Sequence, residues 1–177
     1  MTKLATAGSD RLAQDTGLAA GDLAARRRSE GVRVAASVSS PEDVVALVDR
    51  EIESLVRGLL ADARPEDGFF VEESAATPGT SGLTWAVDPI GDTVNYLYGF
   101  PAWAVSIAFV EGDPYPAGWT TLTGAVYNPT GRESTCSWQV PLTSTGSVNL
   151  SWRSFLRNSW PTVERRRLNR FEQDGYP

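Results

Sequence analysis

Apolar positions along the chain fall first into helical and then into strand spacing. Over residues 9–28, Leu12, Ala13, Ala19, Ala20, Leu23 and Ala24 recur at helical intervals, with Gly17 and Gly21 as weak points. Ser40-Pro41-Glu42-Asp43 predicts a second helix start, with Ser40 as cap, Pro41 in the first turn and Asp43 completing a capping-box pattern. Val45, Val48, Ile52, Leu55, Val56 and Leu59 then form an apolar stripe that runs to Ala63. Arg64-Pro65-Glu66-Asp67-Gly68 reads as a turn. After it the period changes. Phe69, Phe70 and Val71 predict a short strand closing at Glu72-Glu73, and residues 74–82 a polar loop. Residues 83–87 predict a buried strand ending at Asp88-Pro89, and residues 104–110 and 123–127 two more, joined by a Gly/Pro loop. Helices first and strands after predict an α+β layered sheet, without internal repeats.

Composition divides the chain. It has 177 residues, 41% hydrophobic and 21% charged, the profile of an ordinary globular domain. Residues 1–133 hold 10 basic and 19 acidic side chains and 20 alanines; residues 134–177 hold 6 basic and 3 acidic side chains and no alanine. The boundary therefore falls near Arg132–Ser134, with a domain over 1–133 and a divergent tail over 134–177 that has no clear period. The formal charge of −6 argues against nucleic acid or an anionic membrane as partner. Met1–Ala7 lacks the apolar core of a signal peptide, and no apolar run reaches membrane-spanning length, so a cytoplasmic location is expected.

The chain has no histidine and one cysteine, Cys136. Within these residues that excludes a Ser-His-Asp triad, a Cys-His dyad, a histidine zinc site and an internal disulfide. Carboxylates, hydroxyls and backbone amides remain, a set suited to hard cations. Carboxylates at the ends of neighbouring strands converge on one sheet edge, which brings forward Glu72-Glu73 and Asp88, with Asp49 on the long helix. The plainer alternatives are a polar strand end for the glutamates and a solvated helix face for Asp49, beside Arg50, Glu51 and Glu53. Only one of the paired glutamates can share a strand face with a site. In Asp88-Pro89-Ile90-Gly91-Asp92-Thr93, Pro second and Gly fourth predict a type I turn. Asp92 or Thr93 then caps a short helix that ends at Gly99. Strand, turn and helix start together form a candidate anion site, though Asp92 acting only as a cap explains the same spacing.

These motifs resemble the inositol monophosphatase family. Glu72-Glu73-Ser74, Trp85-Ala86-Val87-Asp88-Pro89-Ile90, Thr93-Val94-Asn95-Tyr96, Gly99-Phe100-Pro101 and Ala104-Val105-Ser106-Ile107-Ala108 occur in the family's order. Asp43-Val44-Val45 with Asp49, and Gly124-Ala125-Val126-Tyr127-Asn128-Pro129, fit it too, so the likeness covers residues 9–133. The resemblance implies a layered sandwich of the sugar-phosphatase type, of which this chain carries the N-terminal portion. It implies magnesium-dependent hydrolysis of a small sugar phosphate, myo-inositol monophosphate first, by a homodimeric enzyme. By position, Glu72, Asp88 and the Ile90 carbonyl resemble ligands of one Mg2+, with Asp88 bridging to a second. Asp49 resembles the ligand of a third, Thr93 with Glu72 the pair that orients the attacking water, and the amides of Asp92 and Thr93 a phosphate cradle.

The departures are as specific as the matches. The family writes Asp-Gly-Thr where this chain has Gly91-Asp92-Thr93, which leaves Asp92 as the remaining candidate for a second-metal carboxylate. Ala46 stands for the family's threonine and Val71 for the glycine before the paired glutamates. The family's C-terminal half has no counterpart in the tail. Codons for Cys136-Ser137-Trp138-Gln139-Val140 also read Phe-Val-Ala-Gly-Ala one nucleotide away, close to what the family carries there. A reading-frame shift near Arg132, or a disordered extension, is the expectation for the tail. Without the second half, an apolar face around Val105, Ile107 and Val126 is expected to lie exposed. The competing functional reading is a catalytically dead phosphatase-like binding module or gene fragment.

Overall fold

The computed structural model describes residues 8–34, 41–71, 75–112, 119–130 and 136–138, without side-chain detail for 31–34, 41–44 and 136–138. Three helices, α1 (Ser9–Val34), α2 (Pro41–Ala63) and α3 (Thr93–Tyr98), accompany five strands. These are β1 (Gly68–Val71), β2 (Leu83–Gly91), β3 (Ala104–Glu111), β4 (Thr120–Tyr127) and β5 (Cys136–Trp138). They form one sheet in sequence order. β1 runs parallel to β2, and every other neighbour is antiparallel. β5, from beyond the compositional break, pairs with β4 through Val126↔Cys136 to Gly124↔Trp138.

Helices α1 and α2 cover one face of this sheet. The apolar stripe of α2 buries Val48, Ile52, Val56 and Leu60 against β2, where Trp85 stacks on Phe109 of β3 with ring centroids 4.3 Å apart. Helix α1 lies across β3 and β4 and presents small residues, Ala13, Ala20 and Ala24, all fully buried. Of the two glycines that weaken its helix propensity, Gly21 lets it approach: a Cβ there would overlap the ring of Tyr127. Arg27 of α1 forks onto Glu51 of α2, Nε at 2.7 Å and Nη2 at 2.5 Å, and holds that carboxyl below the usual carboxylate range.

This packing corrects one expectation. Val105 and Ile107 are 0% and 1% exposed, because α1 covers them. Val126 pairs with Ser106, not with Ile107, so it lies on the opposite face and is half-buried. That second face carries its own cluster of Ala86, Ala108, Val110 and Trp119, with Phe70 edge-on to Trp119 at 5.2 Å.

The turn before β1 is fastened by Asp67. Its side chain, 2% exposed, accepts from the Arg64 guanidinium, from Ser81 Oγ at 2.7 Å and from Trp85 Nε1 at 3.1 Å. The 75–82 loop closes over this turn, and a Cβ on Gly79 would collide with the backbone of residues 66–68.

Candidate functional site

Asp88, Ile90, Asp92 and Thr93 lie where β2 runs into α3. The type I turn expected over residues 88–91 does not form; β2 continues to Gly91 instead. Asp88 pairs with Ser106 and Gly91 with Ala104, so β2 takes three steps where β3 takes two. The extra residue makes a bulge, and Pro89, with no N–H to give a ladder, falls inside it. The bulge re-aims the chain into Asp92.

Asp92 is the one described non-glycine residue with positive φ, at φ 68° and ψ 69°. Left-handed backbone strains most side chains and strains Asp less than most. As expected, Asp92 caps the short helix: the backbone N–H of Asn95 donates to Asp92 Oδ1 at 3.0 Å. Gly99 closes α3, also left-handed at φ 86°, and the following amide donates to the Asn95 carbonyl at 2.9 Å. Asn95 Nδ2 donates to the Ala102 carbonyl at 2.8 Å, which ties α3 to the loop before β3. Thr93 is exposed, and its hydroxyl donates to the Ile90 carbonyl at 3.5 Å.

Asp88 is half-buried and engaged with its surroundings, as is Asp49 on α2, a helix that touches both β2 and α3. Val71 ends β1 in parallel register with Val87, directly before Asp88. Glu72 and Glu73 lie outside the described residues, as do Ser40 and residues 139–177. Among the described residues no three acidic side chains gather into a cation site.

Helix α1 fixes α3 from behind. Tyr96 is buried and donates to the Ala24 carbonyl at 2.8 Å, and burial pushes its phenol up to about 12. Arg28 lies 5.7 Å from the ring centres of both Tyr96 and Trp103 and donates to the Phe100 carbonyl at 3.0 Å.

A family model, described as the inositol monophosphatase family, matches residues 9–154. The chain belongs to the inositol monophosphatase family. An inositol-1-monophosphatase of Mycobacterium bovis is 39% identical over 112 residues, which cover 60% of this chain and 36% of that protein. The solved SuhB of Mycobacterium tuberculosis superposes with a TM-score of 0.59 and 33% identity, over 77% of this chain and 46% of that one. The extragenic suppressor protein SuhB of Bartonella henselae gives a TM-score of 0.59 and 30% identity, over 73% and 47%. The chain thus spans about a third of the length of the curated relative and under half of the solved ones. The match carries the sandwich fold with it and runs past the compositional break at residue 133.

Within this family portion, two residues had no role assigned from sequence. Asp67 read only as a turn residue, yet it joins three segments. Ser106 stood inside a quoted motif without a role. Its signal was one polar residue within an apolar run, Ala104 to Val110; its place opposite Asp88 is seen only in the cross-strand register. Among the described residues its buried Oγ has no hydrogen-bond partner.

Proposed function

We propose that the chain derives from a magnesium-dependent phosphomonoesterase acting on a small sugar phosphate, myo-inositol monophosphate first. The observation that carries this reading is the Asp88–Thr93 segment, set at a bulged strand end and a helix start in a chain of this family. The donors fit a hard divalent cation in kind: the Asp88 carboxylate, the Ile90 carbonyl and the Asp49 carboxylate from α2 are all oxygens. In the proposal Asp88, Ile90 and Glu72 hold the principal Mg2+, and Asp49 holds a weaker one. When bound, the cation neutralises phosphoryl oxygen charge and makes water a better nucleophile at neutral pH. Thr93 and Glu72 orient that water, and Thr93 is anchored by its bond to the Ile90 carbonyl. The amides of Asp92 and Thr93 face the phosphate.

Asp92 favours a second reading, a phosphatase-like module with little turnover. Its carboxylate is committed to the amide of Asn95 and brings negative charge to the place where phosphate is to approach. We therefore propose that Gly91-Asp92, in place of the family's Asp-Gly order, impairs this chain, and that Asp92 serves a second Mg2+ only after leaving its cap. The proposed ligands all precede residue 133. Among the described residues no helix is long and apolar enough to cross a membrane, and a cytoplasmic location and a homodimer belong to the same proposal. An assay of phosphate release from myo-inositol 1-phosphate with Mg2+ tests the impairment. The 177-residue chain is expected to stay near background; strong Mg2+-dependent turnover would refute it.

A further inference from the structure

We propose that Ser106 is a positioning residue for Asp88: its hydroxyl orients the Asp88 carboxylate toward a divalent cation. This rests on the cation reading above. Asp88 and Ser106 are directly opposed on the antiparallel β2–β3 pair, the last matched pair before the bulge. Opposed residues share a sheet face, and their Cβ atoms lie about 4.5–5.5 Å apart, within reach of one hydroxyl-to-carboxylate hydrogen bond. The neighbours of Ser106 on that face of β3 are Ala104 and Ala108, which offer no side-chain acceptor. A hydroxyl that turns freely about χ1 has one carboxylate opposite it in register.

Three buried polar groups lack a hydrogen-bond partner among the described residues, Trp103 Nε1, Thr123 Oγ1 and Ser106 Oγ, and of these Ser106 is the one opposed to a carboxylate in register. Ser106 Oγ is shut off from solvent and finds no partner among the described residues. A buried unsatisfied hydroxyl opposes folding, so the fold alone gives no reason for it. A carboxylate that accepts from Ser106 is held in one rotamer, with its remaining lone pairs directed to the cation. Hydrogen bonds of this kind to ligating carboxylates set cation affinity. Ser106 touches neither substrate nor cation in this account; it acts through Asp88.

The contrast between folding and cation binding supplies the test. Mn2+ is titrated against the full 177-residue chain and the variants Ser106→Ala, Ser106→Thr and Asp88→Asn, followed by the paramagnetic resonance of free Mn2+. Thermal melting of each metal-free protein is recorded alongside. Ser106→Ala is expected to melt at or slightly above the parent and to bind Mn2+ about tenfold more weakly. Ser106→Thr, which keeps the hydroxyl, is expected to retain parent affinity. Unchanged affinity in Ser106→Ala, or equal losses in Ala and Thr, overturns the proposal. Asp88→Asn separates the two levels. If it weakens Mn2+ binding while Ser106→Ala does not, only the role of Ser106 falls. If neither changes binding, the cation reading falls with it.

Discussion

Two aspartates mark opposite ends of the β1–β2 pair, and the chain uses them in opposite ways. Asp67, before β1, is buried and gathers Arg64, Ser81 and Trp85 from three segments. Asp92, after β2, is half-exposed, sits on left-handed backbone and accepts a hydrogen bond from its own helix. At the first end a carboxylate is enclosed by partners from distant sequence, so its role is to hold the fold. At the second end the backbone is bulged and bent, the helix is short, and Asp88 and Thr93 lie on either side of the strand-to-helix junction. A carboxylate's chemistry is therefore read from what surrounds it and not from its type: the better-enclosed acid is the less reactive candidate.

The comparison can be broken most forcefully at Asp67. Removing it leaves Trp85 Nε1 and Ser81 without their acceptor and Arg64 without its counter-charge. Asp67→Ala is therefore expected to cost about 3 kcal/mol in denaturant unfolding. A loss below about 1 kcal/mol would remove Asp67 from the role given to it.

The next effect lies in the link between α1 and α3. The phenol of Tyr96 titrates near 12 in the fold against an ordinary 10.0, because burial disfavours its charged form. A group with a raised folded pKa contributes stability fully below its unfolded pKa and loses it as pH rises toward the folded one. Stability is expected to fall by about 2 kcal/mol from pH 10 to 12 in the parent, and by less in Tyr96→Phe. Equal slopes in both proteins would dissociate the loss from Tyr96.

The smallest effect sharpens the picture of Asp92. Asp92→Ala removes the cap and places a Cβ without polar compensation on left-handed backbone, at about 1–2 kcal/mol. Asp92→Gly loses the same cap and gains backbone freedom, so its stability is expected within about 0.5 kcal/mol of the parent. Equal melting of the two variants would show that backbone conformation is not the deciding term.

Much of the scaffold was legible in the chain because it follows periodicity. The α2 stripe from Val45 to Val56, the Asp92 cap and the Gly99 stop, and the strands at 83–87 and 104–110 all follow from local pattern, though at the end of the stripe Leu60 is buried and Leu59 exposed. What escaped was set by tertiary contact. Gly17 and Gly21 counted against a helix, yet α1 forms, Gly21 leaves room for the ring of Tyr127, and the helix buries Val105 and Ile107. Pro89 and Gly91 carried the signature of a turn, but pairing with β3 drew them into a bulged strand. The segment Asp88–Thr93 was legible as a site through its motifs. The unpartnered hydroxyl of Ser106 was not, because cross-strand register has no signature in a single strand.

The most direct test of the account concerns positions 91 and 92. Two chimeras would carry the C-terminal half of the Mycobacterium tuberculosis relative after residue 133, one with Gly91-Asp92 and one with Gly91→Asp and Asp92→Gly. Mg2+-dependent phosphate release from myo-inositol 1-phosphate is measured in both. The account predicts that the chimera with the reversed pair turns over on the order of 100-fold faster, the scale of one lost cation contact to the transferring group. Equal turnover in the two chimeras would contradict it.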